Sequence, residues 1–246
     1  MIKAALSVIE DGVLESAKRT LGTERRALEA LERALGGGLA DPFQRAVETI
    51  SGITGRVIVT GVGKSGHIAV KIAATLASTG TPAFFVHAAE ANHGDLGMIG
   101  PSDVVLALSK GGESAEIRGI VSYARRFSIP LIAVTCSEKS SLASASDIIL
   151  LMPNEAEACP HGLAPTTSTL MQLAMGDALA IALLEKRGFT ARDFHVFHPG
   201  GKLGASLRHV ADVMHGAIAY RWWREERLSR RPSRHSHAST SVALES

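Results

Sequence analysis

Apolar residues recur at helical spacing over residues 2–35, with Leu14, Ala17, Leu21, Leu28, Leu31 and Leu35 marking the repeat. Gly36-Gly37-Gly38 ends the run. A second helix is predicted over 41–50, with Asp41 as its cap and Pro42 at its first position. Packing or a subunit contact is the ordinary use of such helices. The pattern then changes: short, fully apolar runs at 57–60, 83–87, 104–108, 131–135 and 148–152 alternate with helical patterns at 68–78, 114–127 and 166–187. Unbroken apolar strands separated by helices predict an α/β fold, a parallel sheet covered on both faces. Such sheets take ligands at the carboxyl ends of their strands. That rule selects the loops at 61–67, 87–95, 109–114 and 153–168, which are also polar and rich in glycine.

Size and composition narrow the class. With 246 residues, 46% of them hydrophobic, the chain can bury one sizeable core and leave room for a small appendage. No apolar run reaches the roughly 18 residues that span a bilayer. The N-terminus shows no basic segment followed by an apolar region and a cleavage site. Cys136 and Cys159 are too few for a disulfide framework and suit a reducing compartment. We therefore expect a cytoplasmic protein without membrane contact. Of the 26 basic and 24 acidic residues, six arginines and three glutamates lie in 217–246, which leaves 20 and 21 for residues 1–216. The basic pI is thus a property of the tail, and the body gives no electrostatic reason to expect nucleic acid.

Candidate chemistry begins at Gly61-Val62-Gly63-Lys64-Ser65-Gly66-His67, where the first strand turns into a helix. Glycines allow a sharp turn and present N–H groups, and a helix N-terminus favours an anion. Lys64 and Ser65 add a cation and a hydroxyl. The string also satisfies G-x-G-x-x-G, but a dinucleotide fold needs an acid at the end of the next strand, where this chain has His87, and Glu90 comes too late. A Walker A loop fails because its first glycine would fall on Ile58. Alone, this loop fits a structural turn as well as a phosphate cradle. Ser109-Lys110-Gly111-Gly112-Glu113-Ser114 and Ala164-Pro165-Thr166-Thr167-Ser168-Thr169 also place hydroxyls before helices. Three hydroxyl-rich helix starts at one sheet edge favour a phosphate.

Other residues have plainer readings. Glu116, one turn into a helix, complements its dipole. Glu157, close to Glu155, fits a solvated acidic patch, and His198 before Pro199-Gly200-Gly201 fits a turn. His87, His93 and His161 match no dense zinc spacing. Cys159 beside Pro160 reads as buried, and Met171 and Met175 as core.

Taken together, these motifs resemble the sugar isomerase (SIS) domain family. The likeness is carried by residues 61–67, by 77–87 ending in Phe84-Phe85-Val86-His87, and by His93-Gly94-Asp95-Leu96-Gly97-Met98. Glu157-Ala158-Cys159-Pro160, residues 162–169 and His198-Pro199-Gly200-Gly201 extend it, and it runs from about residue 10 to His215. More narrowly, the chain is similar to the arabinose-5-phosphate isomerases that feed Kdo and lipopolysaccharide synthesis. The resemblance implies a flavodoxin-like three-layer sandwich with a five-stranded parallel sheet at 55–209, N-terminal helices at 1–54 packed on it, a homotetramer and no cofactor. It implies interconversion of D-ribulose 5-phosphate and D-arabinose 5-phosphate. Lys64, Glu116, Glu157 and His198 would form the catalytic set. Gly80, Thr81, His87 and His93 would line the sugar site, with 119–128 and 153–155 closing on it, and His87 could also hold an inhibitory zinc. The hydroxyls of Ser65, Ser109, Ser114, Thr166, Thr167 and Ser168 would meet the substrate beside them.

The reaction itself asks for such groups. Moving a proton between C1 and C2 through an enediol requires a base at carbon and a shuttle between O1 and O2. A cation or N–H donor must stabilise the oxyanion. Glu157 is preferred to Glu116 as the base, His198 suits ring opening or oxygen proton transfer, and Lys64 suits the charge. A sugar-phosphate sensor without catalysis, or a hexulose-phosphate isomerase of the same fold, is the alternative.

Two departures stand out. Where the family shows Ser-x-Ser-Gly, this chain has Ser109-Lys110-Gly111-Gly112; one hydroxyl is gone, and Lys110 could supply charge instead. Val210-Ala211-Asp212-Val213-Met214-His215 resembles the entry to a cystathionine-β-synthase (CBS) pair, but the likeness stops at Gly216. Residues 210–246 are therefore expected to be an aborted CBS entry followed by a disordered basic tail containing Trp222 and Trp223.

Overall fold

The computed structural model describes residues 2–198, with side chains from Gly12 onward except that of Arg192. The expected CBS entry and the basic tail lie outside the described residues. The chain divides into two units, Met1–Phe197 and His198–Ser246. The first begins with α1 (Ile2–Leu35) and α2 (Ala40–Gly52). A βα alternation follows: β1 (Val57–Gly61), α3 (Gly63–Ser78), β2 (Ala83–Phe85), α4 (Ala88–Ala91), β3 (Val104–Leu108) and α5 (Arg118–Arg126). It continues with β4 (Leu131–Thr135), α6 (Ser141–Ala145), β5 (Ile148–Leu151), α7 (Thr167–Arg187) and α8 (Ala191–Phe197).

All strand pairs are parallel, in the order β2-β1-β3-β4-β5. This is the flavodoxin-like order, with its switch point between β1 and β3. Strands β1, β3 and β4 are buried along their whole length, as their unbroken apolar sequences require. Alternate residues feed two cores. Val57, Val59, Leu106 and Ile132 face α1, α2, α3 and α7, while Ile58, Val105, Ala107 and Ala133 face α4, α5 and α6. The first unit is therefore a three-layer sandwich with the longer helices on one face. Met171 and Met175 are fully buried in the first of these cores.

Several boundaries differ from expectation: α3 begins at Gly63 and not at 68, α5 begins at Arg118 after a short 3₁₀ turn and not at 114, and two others have a visible cause. Helix α2 starts at Ala40, with Leu39 as its cap and Asp41 inside the first turn. Buried Leu39 anchors the entry, and its carbonyl accepts from the Phe43 N–H. Pro42, at the third position, lacks an N–H that would have no intrahelical partner anyway. Strand β2 ends at Phe85 because His87 turns the chain into α4, its Nδ1 accepting from the Ala89 N–H. Helix α7 is long and apolar enough, by length and composition, to cross a membrane, although no unbroken apolar run signals this. Half of its most apolar stretch is buried inside the protein, where it packs on α3, α1 and α2.

The α3–α7 contact depends on Gly176. A Cβ there would lie 2.3 Å from Ile72 Cγ1, so the two helices approach through the missing side chain. Gly176→Val should lower stability by about 2 kcal/mol through overpacking. Urea unfolding of the variant measures this, and an unchanged midpoint would mean that the contact is slack.

Candidate active site

The carboxyl edge of the sheet gathers the loops selected from the sequence. Gly61 pairs with Leu108 in the β1–β3 ladder, so the first and second loops leave the sheet side by side at the switch point. In the first loop Gly63 has φ +57°, a left-handed conformation open to glycine at little cost, and α3 begins there. No side chain caps this helix start. Lys64 is exposed in its first turn, and Ser65 is half-buried beside it. The uncapped N-terminal amides and the exposed Lys64 share this corner, an arrangement whose charge favours an anion.

The second loop is held by the end of β4. Carbonyl oxygen of Lys110 accepts from the Cys136 N–H at 2.9 Å and from Thr135 Oγ1 at 3.0 Å. Ser109, nearly buried, accepts from the Gly112 N–H at 3.0 Å, and its hydroxyl lies 3.3 Å from that of Ser114. Glu113 accepts from both the N–H and the hydroxyl of Ser141, which hold its carboxyl below the ordinary range. Ser109 thus shapes the loop as much as it faces any ligand.

The third loop departs from expectation. Its hydroxyls do not form an open cradle, because the start of α7 already holds an anion, the Glu157 carboxylate. Glu157 Oε2 accepts from the Thr166 N–H at 2.8 Å, Thr166 Oγ1 at 3.2 Å and the Ser168 N–H at 3.2 Å. Thr166 Oγ1 and Thr167 Oγ1 accept from the Ala158 N–H at 3.0 and 3.1 Å, closing the loop on itself. Oε1 accepts from Lys110 Nζ at 2.6 Å. Burial of this side chain, only 4% exposed, pushes its pKa upward. Lys110, the Ser168 side chain and the Thr166 and Ser168 amides outweigh burial and bring it from 4.5 to about 2. Glu157 is therefore an ionised, enclosed carboxylate and not part of a solvated patch. Cys136 lies beside the pair, and burial raises its thiol to about 11. Cys159 is half-buried, not buried, and N–H groups of Ala164, His161 and Leu163 lower its pKa.

Asn92, which no sequence motif marks, ties the loop at 87–95 to the turn that follows the second loop. Its amide donates to the carbonyls of Ala88 at 3.2 Å and Glu116 at 3.3 Å. This places Glu116, exposed in the short 3₁₀ turn Ala115–Ile117, against the segment carrying His87 and His93. Both histidines are exposed. With Nδ1 of His87 accepting from the Ala89 N–H at 3.2 Å, its neutral ring carries the proton on Nε2. In that tautomer it offers a donor, and binding zinc through Nε2 would require the proton to move to Nδ1, with loss of the bond from the Ala89 N–H. Among the described residues no group of three or more His, Cys, Asp or Glu side chains could hold a metal ion.

Gly80 and Thr81 do not join these loops within one chain. Pro82 accepts from the N–H of Val57, the first residue of β1, so Gly80 and Thr81 stand at the amino edge of the sheet. The length of β1, about 15 Å, separates them from Lys64. His198 opens the second unit of the chain.

Residues 53–182 match the family model described as the SIS domain. Arabinose 5-phosphate isomerase KdsD of Pseudomonas aeruginosa is 54% identical over 203 residues, which cover 82% of this chain and 61% of that protein. The Yersinia pestis protein of the same name is 52% identical, with 82% of this chain and 60% of that protein covered. This chain thus spans about three fifths of the length of the curated relatives it matches. A solved Escherichia coli CFT073 structure, c3406 in complex with A5P, superposes with a TM-score of 0.72 at 42% identity. The match covers 77% of this chain and 98% of that one.

Proposed function

The chain belongs to the SIS domain family, and from that membership we propose that it interconverts D-ribulose 5-phosphate and D-arabinose 5-phosphate through an enediol. The observation that carries this reading is an enclosed, ionised carboxylate, Glu157, at the same sheet edge as an uncapped helix start bearing Lys64. The relatives named arabinose 5-phosphate isomerase and the A5P complex support the choice of sugar phosphate. A product of this kind would serve Kdo and lipopolysaccharide synthesis, as the resemblance implies.

Substrate phosphate is assigned to the α3 amides, Lys64 and Ser65, with Ser109 and Ser114 beside them. Thr166, Thr167 and Ser168 act one step back, by holding Glu157. A carboxylate removes the C1 proton of the ketose, exchanges it with solvent and delivers a solvent-derived proton to C2, and the electron pair passes through the enediol. Glu157 is our preferred base and takes the proton on Oε1 once Lys110 withdraws. Glu116, whose carboxylate has no hydrogen-bond partner among the described residues, is the second candidate. His87 and His93 are assigned to the sugar hydroxyls, and His198 to ring opening or proton transfer between O1 and O2. Gly80 and Thr81 meet substrate only if brought from outside this chain's own loop cluster. A cytoplasmic homotetramer without cofactor is the matching assembly. Val13, Leu14 and Leu21 on α1 and Ile181 on α7 are exposed apolar side chains that subunit contacts would cover.

Proton NMR in D₂O tests the reaction. Ribulose 5-phosphate should convert to arabinose 5-phosphate with deuterium at C2 of the product, without added metal or cofactor. Absence of turnover in folded protein, with or without a chelator, would replace the isomerase by a sugar-phosphate sensor.

A further inference from the structure

We propose that Lys110 is a positioning residue whose ammonium fixes the charge and direction of the Glu157 carboxylate. The consequence for catalysis rests on the proposed function, whereas the hold on the carboxylate does not. The geometry of the pair is one-sided. Lys110 is anchored through its carbonyl to Cys136 and Thr135 at the end of β4, and its side chain crosses to the β5–α7 loop. Its ammonium end belongs to a side chain 37% exposed, while that of Glu157 is 4% exposed. Lys110 can leave the pair and be hydrated, but Glu157 cannot follow it into water.

The two carboxylate oxygens differ as well. Oε2 has three donors from the start of α7, all on backbone or short side chains. Oε1 is held by Lys110, a long and partly exposed side chain. Oε1 is thus the oxygen that can be uncovered for a proton while Oε2 keeps the carboxylate aimed. Lys110 stands in the second loop, at the position that the family motif Ser-x-Ser-Gly leaves open. The titratable groups facing Glu157 are Lys110 and Cys136. Cys136 remains a neutral thiol in the physiological range, so the ammonium alone supplies compensating charge.

The test uses the full chain with ¹³C-labelled glutamate, the Glu157 carboxyl resonance being assigned from its loss in Glu157→Gln. In the unaltered protein and in Lys110→Arg it should remain a carboxylate down to about pH 3. In Lys110→Gln its midpoint should rise by at least one pH unit, and the acid limb of kcat/KM should rise with it. An unmoved midpoint in Lys110→Gln overturns the proposal, whatever the enzyme turns over. A shifted midpoint in a protein that converts no ribulose 5-phosphate keeps the proposal and removes the isomerase reading instead. A shifted midpoint with an unmoved acid limb in an active enzyme overturns the positioning role.

Discussion

Glu157→Gln should lower kcat/KM by about 10²–10⁴-fold, the range expected for loss of a positioned acid–base group. The amide keeps the shape but not the charge, and one of its ends is now a donor. That end must face either Lys110 or the amides of Thr166 and Ser168, which are donors themselves. Stability should change in a pH-dependent way. Glu157 has its pKa lowered in the folded state from 4.5 to about 2, so its contribution is present above pH 4.5 and disappears as pH falls toward 2. The difference amounts to about 3 kcal/mol at most. Urea unfolding at pH 6 and pH 3 should therefore show a smaller acid loss in Glu157→Gln than in the unaltered protein. An active variant, with kcat/KM within threefold, would reduce Glu157 to a cap on α7 and pass the carbon proton to Glu116.

Strands are the part of this fold most legible in the sequence, for a physical reason. A parallel sheet covered on both faces needs apolar residues at every position, and β3 and β4 coincide with their apolar runs. Short elements leave no such trace. Helices α4 and α6 have four and five residues, too few to show a helical period. The start of α3 is hidden for another reason: Gly63 and Gly66 weaken a helical pattern, yet Gly63 is the turn by which the helix begins.

The candidate site divides in the same way. Lys64, Ser65 and the loops at the carboxyl edge follow from the alternation of strands and helices. The partners of Glu157 do not. Its bonds to Thr166 and Ser168 span nine and eleven residues, and that to Lys110 spans 47. Such contacts arise from loop closure, which no periodicity records. A run of hydroxyls before a helix therefore reads as an anion site, while the structure fills that site with the protein's own carboxylate. Asn92 escaped for the same reason, since its value lies in reaching Glu116 across two loops.

Lys64→Ala should cost about 2–4 kcal/mol of transition-state stabilisation, a loss of roughly 30- to 1000-fold in kcat/KM. With Glu157 occupying the start of α7, a substrate phosphate is left with the start of α3 and the second loop next to it. Neutral helix amides alone supply only about half a charge there, against a phosphate bearing nearly two. The Lys64 ammonium would supply the remainder, and Lys110 cannot replace it while bonded to Glu157. Because Lys64 is exposed and packs into neither core, the substitution should change stability by less than about 0.5 kcal/mol. Activity and thermal unfolding measured on the same preparation separate the two effects. A fall in kcat/KM at unchanged melting temperature places Lys64 on the substrate, whereas near-normal kcat/KM would leave it a surface residue of the turn and move the phosphate toward Ser109 and Ser114.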